Sequence, residues 1–171
     1  MEPATEKPSF ESSLTVSTSG LENEFFKIVV DPKTGVIVSI FDKELGRELA
    51  DADAPHSMNQ LVVKHAKTCR LKTPTRTKVA VGQTGPIFAS LLITSQALGC
   101  PQVTQEIVLH AGVKRVDFNN RVLKDSTPLL ELYIAFPFKA ADPKFTLEGS
   151  NSVIRPFEDQ LPGSNTNYYS V

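Results

Sequence analysis

Tryptophan is absent from this chain of 171 residues, and tyrosine occurs three times. Few of the broad ring platforms that carbohydrate-binding modules use are therefore on offer. Cysteine occurs twice, at Cys69 and Cys100. Two cysteines exclude a disulfide framework and leave one bridge or two free thiols as alternatives. No apolar run approaches the roughly 20 residues that a membrane-spanning helix needs, so no membrane partner is expected. An excess of one charge sign is also missing. Eighteen Lys and Arg stand against nineteen Asp and Glu, a formal charge of −1, which provides no field to gather nucleic acid. A signal peptide is not expected either, because Glu2, Pro3, Glu6, Lys7 and Pro8 interrupt any apolar stretch at the N-terminus. No Asn-x-Ser/Thr sequon occurs, so nothing points to a glycosylated secreted surface. A soluble chain is expected, with its compartment left open.

What is present reads as an ordinary globular domain, with 40% hydrophobic and 22% charged residues. Residues 1–13 are rich in Glu, Pro, Ser and Thr and read as a tether, leaving 14–171 as a β domain. Residues 14–18 alternate as a strand, and Phe26, Ile28 and Val30 share one face of the next. The sequence Asp31-Pro32-Lys33-Thr34-Gly35 predicts a turn. Pro32 presets φ, Asp31 caps, and Gly35 takes the left-handed position. A strand over 36–41 makes this a hairpin. A second turn over 42–46 then leads into 47–50, although the composition of 42–54 also allows one short helix, against which Gly46 argues. Further strands are predicted over 59–64, over 77–81 (ending at Gly82) and over 87–93.

The clearest hairpin joins 103–109 to 116–123 across His110-Ala111-Gly112-Val113-Lys114. In its second arm Val116, Phe118 and Val122 face one way, while Arg115, Asp117, Asn119 and Arg121 face the other. After a turn over 125–128, Leu130, Leu132, Ile134 and Phe136 form another apolar face, and 145–147 and 153–154 complete the set. About ten short strands with Gly/Pro punctuation predict an all-β, antiparallel β-sandwich. Tyr168-Tyr169-Ser170-Val171 reads as a strand cut short, so the β domain is expected to be truncated there. Its open sheet edges would then invite self-association.

Sites for chemistry are sparse. His56, His65 and His110 belong to no metal-binding spacing, and no nucleophile elbow or phosphate-binding glycine loop occurs. No catalytic residue, metal ligand or cofactor is assigned to the chain. Glycoside hydrolysis needs two carboxyl groups flanking the scissile bond. The candidates Asp117, Asp125, Glu131 and Asp159 fall on solvent faces or in turns, where carboxylates are expected anyway. The basic residues Lys64, Lys67, Arg70, Lys72, Arg76 and Lys78 lack interleaved aromatics and read as a solvated face. The most unusual segment is Arg155-Pro156-Phe157-Glu158-Asp159-Gln160-Leu161-Pro162-Gly163-Ser164. Two prolines stiffen a loop whose Arg155, Glu158, Asp159 and Gln160 are the kinds of group that hydrogen-bond sugar hydroxyls. A self-capped surface loop is the alternative.

Residues 21–35, followed by Val38-Ser39-Ile40-Phe41-Asp42-Lys43 and Gly46-Arg47-Glu48, carry a resemblance. Leu-x-Asn, an alternating strand, a Pro/Gly hairpin, then Asp-Lys and Gly-Arg-Glu resemble the opening of the C-terminal β domain of family 38 glycoside hydrolases, the α-mannosidase family. Leu132-Tyr133-Ile134-Ala135-Phe136-Pro137-Phe138 and the 155–164 loop resemble later segments of that domain. The resemblance implies the first part of a galactose-mutarotase-like supersandwich. It also implies a parent chain whose separate N-terminal catalytic domain holds the zinc and the aspartate nucleophile of a retaining mechanism. No ligand or nucleophile motif of that kind occurs here. The implied role is accessory: packing against the catalytic domain, contact with carbohydrate, and no activity alone. A free-standing carbohydrate-binding or adhesion module, and a purely structural domain, are the alternatives.

Overall fold

The computed structural model describes residues 13–149, 152–156 and 158–163. The proposed tether is therefore outside the described residues except for Ser13, and so is the strand expected at 168–171. The chain divides into two units, one up to Lys139 and one from Ala140.

The first unit is built from antiparallel strands. The strands β1 (Thr15–Ser17), β2 (Gly20–Glu22), β3 (Phe26–Val30), β4 (Ile37–Asp42) and β5 (Arg47–Glu48) form a five-stranded sheet in chain order. The strands β8 (Thr75–Thr84), β9 (Phe88–Ala97), β10 (Cys100–His110) and β11 (Val116–Leu123) form a four-stranded meander. These two sheets face each other across one core. Leu21, Phe26, Ile28, Val30, Ile37 and Ile40 from the first sheet pack with Leu91, Ile93, Ile107 and Leu109 from the second. Period-2 alternation places most of them there, because one face of each strand must leave water; Ile37 and Ile40, three apart, are both buried beside the register shift between Val29 and Val30.

A three-stranded sheet joins β6 (Gln60–His65) to β7 (Leu71–Lys72) and β12 (Leu130–Ala135), with β6 in the middle. Leu61, Val63, Cys100 and Val103 make a second, smaller core, onto which Leu130, Ile134 and Val122 pack. Beyond β12 the chain pairs back to the first sheet's end: Asp51 N donates to the Pro137 carbonyl and Lys139 N to the Leu49 carbonyl.

The all-β antiparallel sandwich matches the sequence expectation, with differences in detail. Residues 42–54 hold no helix. The Asp42 carboxylate accepts from Glu44 N and Leu45 N and closes a turn. Gly46 sits at φ 62°, and Glu48 accepts from Ile40 N and Ala50 N. These local bonds hold the backbone out of the helical ladder. The strand predicted to stop at Gly82 runs on to Thr84, with a register shift between Val81 and Thr84. A Cβ at Gly82 would lie 2.4 Å from Ser90 Oγ, and that hydroxyl accepts from Gln83 N at 2.9 Å. The glycine therefore marks a bulge with close backbone approach rather than a strand end. On β12 the expected apolar face is half realised. Leu130 and Ile134 pack inward, while Leu132 and Phe136 remain 38% and 43% exposed.

The second unit contains a small hairpin, β13 (Leu147–Gly149) against β14 (Ser152–Ile154), paired Leu147 to Ile154 and Gly149 to Ser152. The 155–163 segment follows directly.

Candidate functional site

The loop singled out in the sequence forms an ion-paired turn. Arg155 N and Nε donate to Asp159 Oδ2 at 2.9 and 3.1 Å, and Arg155 Nη2 donates to Asp159 Oδ1 at 2.7 Å. Glu158 lies 3.1 Å from Arg155 Nη1. One guanidinium thus gathers two of the loop's carboxylates. The hydrogen bond from Arg155 holds the Asp159 carboxyl below the usual range. Arg155, Glu158 and Asp159 are exposed and Gln160 is half-buried.

The other carboxylates singled out are also held ionised. At Asp117, burial pushes the carboxyl up, but hydrogen bonds from His110 and Arg115 outweigh it and the net shift is downward. At Asp125, the Thr127 hydroxyl and backbone N–H lead the downward shift, with Lys124 assisting. At Glu131, the Tyr133 hydroxyl leads it and Lys64 adds a 3.0 Å ion pair. Every described carboxyl with a displaced titration is displaced downward. A glycosidase's general acid requires the opposite displacement, so that its proton is retained near neutrality.

Among the described residues no three His, Cys, Asp or Glu side chains converge as a metal-ligand set. His65 Nδ1 accepts from Thr68 N. His110, placed in the turn by the sequence, instead ends β10 with Nε2 2.9 Å from Asp117. The described residues thus offer no ligand set for a zinc, which the resemblance places in a parent's separate catalytic domain. Cys69 and Cys100 are both free, one exposed and one buried, and burial pushes the Cys100 thiol up.

Sequence reasoning missed a cleft of about 230 Å³ in the first unit, between the 31–35 hairpin turn and the β8–β10 strands. The turn forms one wall. Asp31 accepts from Lys33 N and from the Thr34 hydroxyl, and Gly35 N donates to the Asp31 carbonyl at 2.7 Å. Gly35 adopts φ 69°, and a Cβ there would come within 2.7 Å of both Ile93 and Thr77. Only glycine lets the turn lie this close to the opposite sheet.

The inner end of the cleft is an amide cluster. Asn59 has φ 55°, a left-handed conformation uncommon for a residue with a Cβ. Gln105 Nε2 donates to the Asn59 carbonyl at 2.6 Å and to Asn120 Oδ1 at 2.9 Å. Asn59 and Asn120 exchange side-chain bonds at 3.2 and 2.7 Å. Asn59 and Gln105 are 3% and 7% exposed, so these bonds rigidify a buried polar patch. Beside it stands Ser95, 5% exposed, whose Oγ has no hydrogen-bond partner among the described residues.

A signal for this cluster existed in the sequence. Gln105 interrupts the inward series Val103, Ile107, Leu109 on β10. Asn120 interrupts Val116, Phe118, Val122 on β11, and the register pairs it with Gln105. Polar residues at inward positions of a sandwich strand are rarely idle.

The arrangement offers uncharged hydrogen-bonding groups in a cleft and ionised, mutually paired groups elsewhere. Among the described residues, no carboxyl is displaced upward. No curated protein matches the chain. The model of the glycosyl hydrolases family 38 C-terminal domain matches residues 21–165. This β chain of paired carboxylates is therefore a member of the glycoside hydrolase family 38 C-terminal domain family.

Proposed function

We propose that the chain is the accessory β domain of an α-mannosidase-like glycoside hydrolase, inactive alone and packed against a zinc-bearing catalytic domain of the same parent chain. The family match over residues 21–165 carries this reading. The downward displacement of the carboxylates supports it, because none of those groups is set up to donate a proton in a hydrolytic step. An apolar stretch suited to docking follows from β12. Leu132, Phe136 and Phe138 are exposed, Phe138 by 64%, which favours a packed partner over a free-standing module.

Within the same reading, the 155–160 turn lends Asp159 and Gln160 to carbohydrate, with Arg155 positioning the Asp159 carboxylate. The ion pair supports this by pre-ordering a group that would otherwise lose conformational entropy on binding.

The test is hydrolysis of an aryl α-mannoside. The purified chain is expected to show no turnover with or without added zinc. Supplied in trans, it is expected to bind the parent's catalytic domain and raise its kcat/KM. Turnover by the chain alone that survives repurification defeats the reading, and so does a catalytic domain that neither binds the chain nor responds to it.

A further inference from the structure

We propose that the cleft between the 31–35 turn and the β8–β10 strands is a binding site for one neutral sugar residue. This deepens the function proposed above by naming a carbohydrate-contacting surface and the residues that form it.

The chemistry of the lining selects the ligand class. No Asp, Glu, Lys, Arg or His lines the cleft. A phosphate, a carboxylate or an ammonium ligand would leave its hydration shell without a compensating charge, which disfavours all three. The hydroxyl-bearing residues Thr34, Ser57, Thr73 and Thr77 instead line it together with the amide residues Asn59 and Gln105. Met58, Pro74 and Ile93 supply apolar surface between them. A wall that alternates hydroxyl and amide groups with small apolar patches complements a molecule that does the same. A pyranose has hydroxyls around its rim and C–H groups on its faces.

Two hydrogen-bonding groups remain unused. Ser95 Oγ is buried without a partner among the described residues. An unsatisfied buried hydroxyl costs about 1–3 kcal/mol, so a ligand group that reaches Ser95 Oγ from the cleft recovers that cost. Gln105 is held by both protons of its Nε2, and its Oε1 accepts no hydrogen bond from the described residues. The two supply a hydroxyl that donates or accepts and a carbonyl that accepts, suited to adjacent sugar hydroxyls. The bonds among Asn59, Gln105 and Asn120 fix this edge before any ligand arrives, which lowers the entropic cost of binding. Size sets the limit. The volume of about 230 Å³ lies below the roughly 300–1,000 Å³ of sites for drug-sized ligands, so one ring fits and a chain of rings does not.

The experiment is an NMR titration of the 171-residue chain with methyl α-mannoside. Saturable shifts are expected at the side-chain amides of Asn59 and Gln105 and at the Gly35 and Thr77 amides, with a dissociation constant in the millimolar range. Ser95→Ala is expected to weaken binding about 10-fold, the effect of one lost hydrogen bond, without lowering the melting temperature. Thr73→Trp, at an exposed rim position, is expected to abolish binding while leaving the amide spectrum of the core unchanged. The proposal is overturned if no saturable shift occurs up to about 100 mM sugar. It is equally overturned if the shifts map away from the cleft, or if both variants bind as the wild type does.

Aryl α-mannoside hydrolysis by the full-length parent, measured in parallel, separates the two readings. A working mannosidase with a silent cleft removes this inference alone. A sugar-filled cleft in a parent without glycosidase activity removes the functional reading alone.

Discussion

The 155–160 turn and the Asn59–Gln105–Asn120 cluster are both polar, and they differ in what their groups are already doing. In the turn, Arg155 contacts Asp159 through three hydrogen bonds and Glu158 through one ion pair. Any sugar hydroxyl must share those oxygens with a guanidinium and with water. In the cleft the groups are neutral, Asn59, Ser95 and Gln105 are buried, and Ser95 Oγ has no hydrogen-bond partner among the described residues. Conspicuous charge in a sequence marks groups able to satisfy one another at a surface, where ion pairs contribute little. An amide or hydroxyl enclosed with its capacity unused is the stronger sign of a ligand, because leaving it unpaired is costly.

Gln105→Ala tests the structural side of this contrast and should have the largest effect. It removes one buried and one half-buried bond and strands the Asn59 carbonyl, at a cost of about 2–3 kcal/mol. The melting temperature should fall by roughly 5–10 °C in a chain of this size. A shift under about 2 °C would show that the amide network is replaced by water at no cost, and the contrast would lose its energetic basis.

Asp159→Ala is expected to lower kcat/KM of the full-length parent about 10-fold, while the melting temperature of the chain changes by less than about 2 °C. Activity within twofold of wild type, for this variant and for Gln160→Ala, would reduce the turn to a self-capped loop. The cleft would then be the only carbohydrate surface proposed.

The two regions should also respond differently to acid. The folded Asp159 carboxyl lies below its ordinary range because of Arg155, so its contribution to order in the turn is full above the unfolded pKa, about 4. It is lost as the pH falls through the lowered folded pKa. Amide shifts of Arg155, Glu158 and Asp159 should therefore move below about pH 4. Sugar binding in the cleft, which has no ionisable lining, should stay constant from about pH 5 to 8. A pH-dependent affinity in that range would place an ionisable group in the site and break the comparison.

The smallest effect belongs to the stability of Ser95→Ala. Removing a buried hydroxyl without a partner should leave the melting temperature unchanged or raise it by a few degrees at most. A clear fall would show that Ser95 Oγ already has a partner.

Much of the architecture is legible from local patterns. The 31–35 turn follows from Asp31, Pro32 and Gly35, and the β10–β11 hairpin from period-2 alternation around Gly112. The misreadings have local causes as well. Glycine marks both bulges and stops, so the sequence predicts a strand end at Gly82 where the structure has a bulge. Only the approach of the Ser90 side chain distinguishes them. His110 belongs by its neighbours to the turn, but it ends β10 and lies beside Asp117 of β11.

By itself, the sequence determined the strand periodicity, the turns and the membership that goes with them, since each depends on residues a few positions apart. Tertiary structure alone decided that the 31–35 turn, Asn59, Ser95 and Gln105 enclose one cleft. Those residues lie on separate strands and loops, and they meet only because two sheets bury their apolar faces against each other. The same closure left Ser95 Oγ without a partner among the described residues and placed two amides opposite one another. Burial in three dimensions sets the cost of an unpaired polar atom, and no one-dimensional spacing records it.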